Sequence, residues 1–97
     1  MIAFTTRVSV PTHVLMRDIG GESVILNLNS ERYLGLDDVG TRMLAVLSSS
    51  ESIEKAYEVL LAEYDVDGEL LRSDLQDLIE KLLEYGLVEI SERGESL

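Results

Sequence analysis

The residues best suited to chemistry in this sequence are one histidine, His13, a set of 19 aspartates and glutamates, and two glycines, Gly35 and Gly40, spaced G-x-x-x-x-G. A metal site or an activated nucleophile needs several donors converging on one point. His13 has no second histidine and no cysteine to work with. Catalytic carboxylates need environments that drive two pKa values apart. Here Glu51, Glu54, Glu58 and Glu63, and then Asp74, Asp77, Glu80 and Glu84, fall where the polar faces of two helices are expected, so solvation accounts for them. Asp37–Asp38 suits a helix start, where negative charge is favoured without any metal. No Lys-Ser or Lys-Thr follows Gly40, so the phosphate-loop pattern fails. Gly35 reads as a point of close backbone approach in a strand, and Gly40 as a first helical turn lying against a sheet. Neither catalytic residues nor a bound cofactor or metal are expected.

The elements that hold these residues follow from periodicity. With 97 residues, one domain spanning 1–97 is expected, its core running from about 12 to 90. A domain of this size buries about two thirds of the surface of its unfolded chain. The segment 13–19, "HVLMRDI", reads as a strand, Gly20–Gly21 as a turn, and 22–28 as a second strand with Val24, Leu26 and Leu28 on one face. "NSE" at 29–31 is a hairpin loop and "RYLGL" returns antiparallel. The expected meander thus has three strands, or four if "TTRVSV" at 5–10 joins as an edge.

Three helices follow. The first is expected from about Asp38 to Leu47 with Asp37 as N-cap. The second begins after Ser50 or Ser52 and carries the stripe Ile53, Ala56, Tyr57, Leu60, Leu61, Tyr64. The third runs from about Glu69 to Tyr85 and stops at Gly86, where a left-handed residue is wanted. Its apolar residues span roughly 160° of the wheel at 3.6 residues per turn, wider than the stripe of around 100° that one core contact needs. This helix is therefore expected to bury two flanks. After it, "LVEI" is a short extended tail and 91–97 a frayed end.

The net charge of −11 disfavours phosphate backbones and anionic lipid. In "ELLRSDLQDLIEKLLEY" the cations are Arg72 and Lys81 alone, against five carboxylates. A DNA-reading helix wants several phosphate-neutralising cations, so no nucleic-acid partner is expected. The N-terminus lacks a basic leader and an apolar stretch, and no run approaches the roughly 20 residues of a membrane span. No membrane partner and a cytoplasmic, bacterial setting are expected.

"VILNLNSERYLGLDDVGTRMLAVL", with "IEKAYEVLLAEYDVD" and "LQDLIEKLLEYGLVEI", resembles the PqqD-like family of recognition elements, which serve the making of ribosomally synthesised, post-translationally modified peptides. The run Y-x-G-L-D-x-V-G-x-R, from Tyr33 to Arg42, is most similar to the stand-alone leader-binding proteins of lasso-peptide clusters. The resemblance implies an α+β, winged helix-turn-helix-like domain that captures a precursor's leader as a strand beside the third strand of the sheet, with the third helix as the opposite wall. It implies delivery to a separate leader-cleaving cysteine protease and no catalysis by the chain itself. Carried onto this sequence, the peptide-binding residues are Arg32, Tyr33, Leu34 and Gly35 on the strand, and Asp74, Leu75, Leu78, Ile79 and Leu82 on the helix. Tyr33 and Ile79 are expected to be the least core-like of these. The alternatives are a PqqD-type peptide chaperone for a radical enzyme, and an acidic winged-helix regulator.

Overall fold

The structure, a computed structural model, describes residues 2–92. In chain order the elements are β1 (Arg7–Ser9), β2 (Val14–Ile19), β3 (Glu22–Asn27), β4 (Tyr33–Leu36), α1 (Asp38–Ser49), α2 (Ile53–Glu63), α3 (Gly68–Glu84) and β5 (Glu89–Ser91). β2, β3 and β4 form the antiparallel meander, in that order. The β2–β3 turn is Gly20–Gly21, with φ of 63° and 92°. Two successive positive φ values make the two-residue hairpin turn that matches strand twist, and glycine adopts them without steric cost.

β1 does not add a fourth strand to the meander. It pairs antiparallel with β5, Val8 opposite Ile90, as a separate two-stranded sheet. The tail after α3 is thus a strand through Ser91 rather than frayed from that residue on. The rest of the expected frayed end, 93–97, lies outside the described residues. His13 sits in the turn before β2, where its carbonyl accepts from the Leu28 N–H at 2.9 Å.

Each helix is closed by local chemistry. The Asp37 carboxylate accepts from the Gly40 N–H at 2.8 Å, Ser52 Oγ from the Lys55 N–H at 3.1 Å, and Asp67 from the Leu70 N–H at 3.2 Å. At the end of α3 the Leu87 N–H donates to the Leu82 carbonyl and the Gly86 N–H to the Leu83 carbonyl, with Gly86 at φ 69°. This is a Schellman ending. The first turn of α2 is also satisfied from outside. Ile53 and Glu54 donate their backbone N–H groups to the carbonyls of Thr6 and Phe4, both at 2.8 Å. The segment leading into β1 therefore caps α2, and helix ends left bare would be costly.

The core gathers Ile25 and Leu36 from the meander, Met43, Leu44, Val46 and Leu47 from α1, Ile53, Ala56 and Leu60 from α2, and Leu71, Leu75, Ile79 and Leu82 from α3. The alternation in β3 is real, but Val24, Leu26 and Leu28 take the outer face. Ser23, Ile25 and Asn27 point inward. The two inward polar residues are both paired. Ser23 Oγ meets Thr41 Oγ1 at 2.7 Å, and the Asn27 amide bonds to the end of α3. Partnered polar groups lose little on burial, so the face with two of them goes inside.

Candidate functional site

β4 is an edge strand. One side pairs with β3, from Leu26↔Tyr33 to Ser23↔Leu36, and among the described residues no strand pairs with the other side. Such an edge presents unpaired N–H and C=O groups to any chain that lies beside it. Alternation turns Leu34 and Leu36 toward the core and leaves Tyr33, 65% exposed, and Gly35 on the outer face.

Both ends of this edge are fixed. At its start the Arg32 guanidinium lies 4.2 Å from the centroid of the Tyr85 ring. Beside it, Asn27 Nδ2 donates to the carbonyls of Tyr85 and Gly86 at 3.3 and 3.1 Å, while its Oδ1 accepts from the loop N–H groups of Asn29 and Ser30. At its far end Asp37 caps α1, and a Cβ on Gly40 would sit 3.4 Å from Leu36 Cβ. That contact is as tight as the close packing expected for the first turn of α1.

The end of α3 lies at the start of β4, through Tyr85 and Arg32, and its first turns lie near the start of α1, which follows β4. There Leu70, Leu71 and Asp74 of α3, with Val39 and Met43 of α1, line an apolar cleft of about 130 Å³. The helical wheel at 100° per residue puts Leu70, Asp74, Leu78 and Tyr85 on this flank. Arg72 marks the other flank. Its guanidinium lies over the rings of Phe4 and Tyr57, at 4.6 and 4.5 Å, and pairs with Glu54 of α2 at 3.3 Å.

These placements sort the residues that the sequence singled out. Arg32, Tyr33, Leu34 and Gly35 lie together on or beside the edge, and Leu78 is half-buried on the near flank of α3 with Asp74 exposed beside it. Leu75, Ile79 and Leu82 are fully buried. Ile79 is thus a core residue, against the expectation that it would be among the least core-like. On the wheel it falls between Leu75 and Arg72, which turns it toward α2. The cleft residues Val39, Met43 and Leu70 were not among the residues that the sequence singled out for binding. The available signal was Leu70, an apolar residue standing outside the buried stripe and 56% exposed.

Among the described residues no group of three or more His, Cys, Asp or Glu side chains could hold a metal ion. No buried side-chain nitrogen or oxygen lacks a hydrogen-bond partner among them. Glu63, held below the ordinary carboxylate range by a paired hydrogen bond from Arg42, faces that arginine and not the edge. No helix among the described residues is long and apolar enough to cross a membrane.

The family model described as Coenzyme PQQ synthesis protein D (PqqD) matches residues 22–88, from the start of β3 to the residue before β5. The chain belongs to the PqqD family. Two solved structures share this PqqD fold. One, TbiB1 in complex with the TbiA(beta) leader peptide, is 31% identical, with a TM-score of 0.74 over 84% of this chain and 94% of that one. The other, a lasso peptide synthetase B1 complexed with the leader peptide, is 20% identical, with a TM-score of 0.72 over 86% and 98% of the two chains. No curated protein matches the chain. An antiparallel meander followed by three helices is the α+β arrangement of these PqqD-like recognition elements.

Proposed function

We propose that this chain captures the leader segment of a ribosomally made precursor peptide as an antiparallel strand on the free edge of β4, with α3 as the opposite wall. The observation that carries this reading is an unpaired edge, anchored at both ends, in a fold shared with two leader-peptide complexes. The run Y-x-G-L-D-x-V-G-x-R from Tyr33 to Arg42, with a fold shared with a lasso peptide synthetase B1, favours a lasso-type precursor over other modified peptides.

Strand addition alone supplies little affinity. About four backbone bonds contribute roughly 0.5–1.5 kcal/mol each, and ordering each leader residue costs about 1–2 kcal/mol. The two nearly cancel. Micromolar affinity, about −8 kcal/mol, then has to come from apolar side chains at about 1.5–3 kcal/mol each. Leu34, Leu78 and the cleft at Val39, Met43 and Leu70 offer that surface, while Leu75, Ile79 and Leu82 support it from beneath. Asp74 and Asp77 favour a basic residue in the leader. Such exposed pairs are worth less than about 1 kcal/mol, so they tune the affinity rather than create it. The chain's role ends at capture, and the bound leader is delivered to a separate leader-cleaving cysteine protease.

The test is fluorescence anisotropy with a labelled leader peptide from the precursor gene beside this chain's own gene. Micromolar or tighter binding supports capture, and no binding at any accessible concentration overturns it. Delivery is read separately, as faster leader cleavage by the pathway's protease when the chain is added.

A further inference from the structure

The outer face of the meander is apolar and uncovered. The helices pack on its inner face, around Ile25 and Leu36. On the outer face Leu15, Ile19, Val24, Leu28 and Tyr33 stand between 39% and 65% exposed. They are cross-strand or diagonal neighbours, in the rows Leu15–Leu26–Tyr33 and Arg17–Val24–Gly35, so they form one patch. Monomeric proteins seldom leave a contiguous patch of this kind without a partner. Two hollows flank Val24. One of about 210 Å³ lies against Leu15, Ile19 and Leu26, and one of about 360 Å³ opens beside Gly35. Side chains of a second sheet could interdigitate there, as they do where two sheets stack.

We infer that the occupant is a second copy of this chain, stacked outer face to outer face about a two-fold axis. Charge favours that choice. The chain carries −11, yet the outer-face positions of the three paired strands hold one cation, Arg17, and one anion, Glu22. This is the surface on which two such acidic molecules meet with the least repulsion. A basic partner would instead be drawn to the exposed carboxylates of α3, Asp74, Asp77, Glu80 and Glu84. The face is also self-complementary, as a two-fold interface must be. An axis passing close to Val24 sets that residue against its own copy. The same axis brings Arg17 of each chain to Glu22 of the other, since the two lie on adjacent strands one row apart. Three strands of up to six residues make a face of about 14 by 20 Å. Two interdigitated faces then bury on the order of 1,000 Å² in total, the lower bound for a specific interface. The dimer is accordingly weak and reversible. Stacking leaves the free edge of β4 open in both copies.

The test is sedimentation velocity of the whole chain from low micromolar to millimolar concentration, without any peptide. Wild type is expected to move from the mass of one chain toward that of two as concentration rises. Ile19→Lys and Val24→Lys place a charge in the stacked layer and should weaken the dimer on the order of a hundredfold. Both side chains are exposed in the single chain, so the thermal midpoint measured at low concentration should hold. Arg17→Glu should weaken association, and adding Glu22→Arg to it should restore it. That reciprocal pair decides the matter should a lysine variant fail to fold. A wild type that stays monomeric throughout overturns the inference and assigns the face to a different protein. A dimer unchanged by these substitutions also overturns it. So does a dimer that added leader peptide dissociates, because the two copies would then be pairing through the β4 edges. None of these outcomes depends on whether the proposed leader capture is correct, which the anisotropy experiment reads by itself.

Discussion

The Asn27 side-chain amide donates to the carbonyl of Gly86 at 3.1 Å, joining residues 59 positions apart in the chain. Through this contact the loop that launches β4 is tied to the end of α3. One side chain thereby bonds to four backbone groups, two carbonyls beyond the helix and two N–H groups of the loop. Asn27, only 7% exposed, thus joins the loop before β4 to the end of α3, beside the contact of Arg32 with Tyr85.

Replacing that residue tests its importance. Asn27→Ala strands carbonyls and N–H groups in a largely dry site, at a cost of roughly 1–3 kcal/mol. Asn27→Asp keeps the loop's acceptor but turns a second carboxylate oxygen on the two carbonyls, and is expected to cost more. Urea unfolding of the three proteins should rank them wild type, Asn27→Ala, Asn27→Asp. An Asn27→Asp protein as stable as wild type would show that the donor half of the amide is dispensable.

Two glycines of the site region should respond oppositely to a methyl group. Gly86 is at φ 69°, and a Cβ there would sit 2.7 Å from Asn27 Nδ2. Left-handed geometry costs a residue with a Cβ roughly 1–2 kcal/mol, and displacing the Asn27 amide adds to it. Gly35→Ala meets open space and should be neutral or mildly stabilising. Thermal unfolding of the pair checks the contrast. Equal melting points would mean that the end of α3 relaxes around the new methyl.

Much of this fold is legible in the sequence because its signals are local. Asp37 and Ser52 cap helices within four residues of the groups they bind. Gly20–Gly21 and Gly86 mark backbone turns on their own. The β1–β5 pairing was not legible, since it joins two three-residue segments from opposite ends of the chain, and no local pattern selects the partner. The orientation of β3 was not legible either. Its outer face is the more apolar, and the choice of inner face depends on partners for Ser23 and Asn27 supplied by α1 and by the end of α3. The strand that holds Tyr33, Leu34 and Gly35 was legible as the antiparallel return after the loop at 29–31, while their selection as peptide-binding residues came from the family resemblance. The wide stripe of α3 suggested two buried flanks, but its buried residues Leu71, Leu75, Ile79 and Leu82 form a single stripe, with Leu78 half-buried and Leu70 56% exposed beside it. Arg32 lies by Tyr85 at the end of the helix, and Arg72 turns to Glu54 of α2.

That division of α3 predicts a split between stability and binding. Ile79→Ala removes a fully buried side chain and should cost about 2–5 kcal/mol of stability. Leu78 is half-buried, at the margin of the buried stripe of α3. Leu78→Ala should therefore lower stability less, by about 1 kcal/mol, and weaken leader binding by roughly tenfold. Denaturation and anisotropy on both variants read the two quantities independently. If Ile79→Ala lost binding while keeping its stability, the flank assignment would be reversed.

The pair Arg42–Glu63 gives the protein a defined response to acid. Arg42 Nε and Nη2 donate to the two Glu63 oxygens, both at 2.8 Å, bridging α1 and α2. These hydrogen bonds, and to a smaller degree the opposite charge, hold the Glu63 carboxyl below the ordinary glutamate range. A carboxyl whose folded-state pKa is depressed adds stability that is complete above its unfolded value. That stability fades as pH falls through the folded value. Arg42 is shifted upward for the same cause, so its share would be lost only in strong alkali. The thermal midpoint of wild type should therefore exceed that of Glu63→Gln at neutral pH. The gap should stay constant down to the ordinary glutamate range and then close as the solution is made more acidic. Both side chains are partly exposed, 48% and 35%, so the gap is small and should narrow in 1 M salt, where screening acts within about 3 Å. A gap that persists unchanged in acid would mean that the glutamine side chain of the variant disturbs packing, and that the charge of Glu63 contributes nothing.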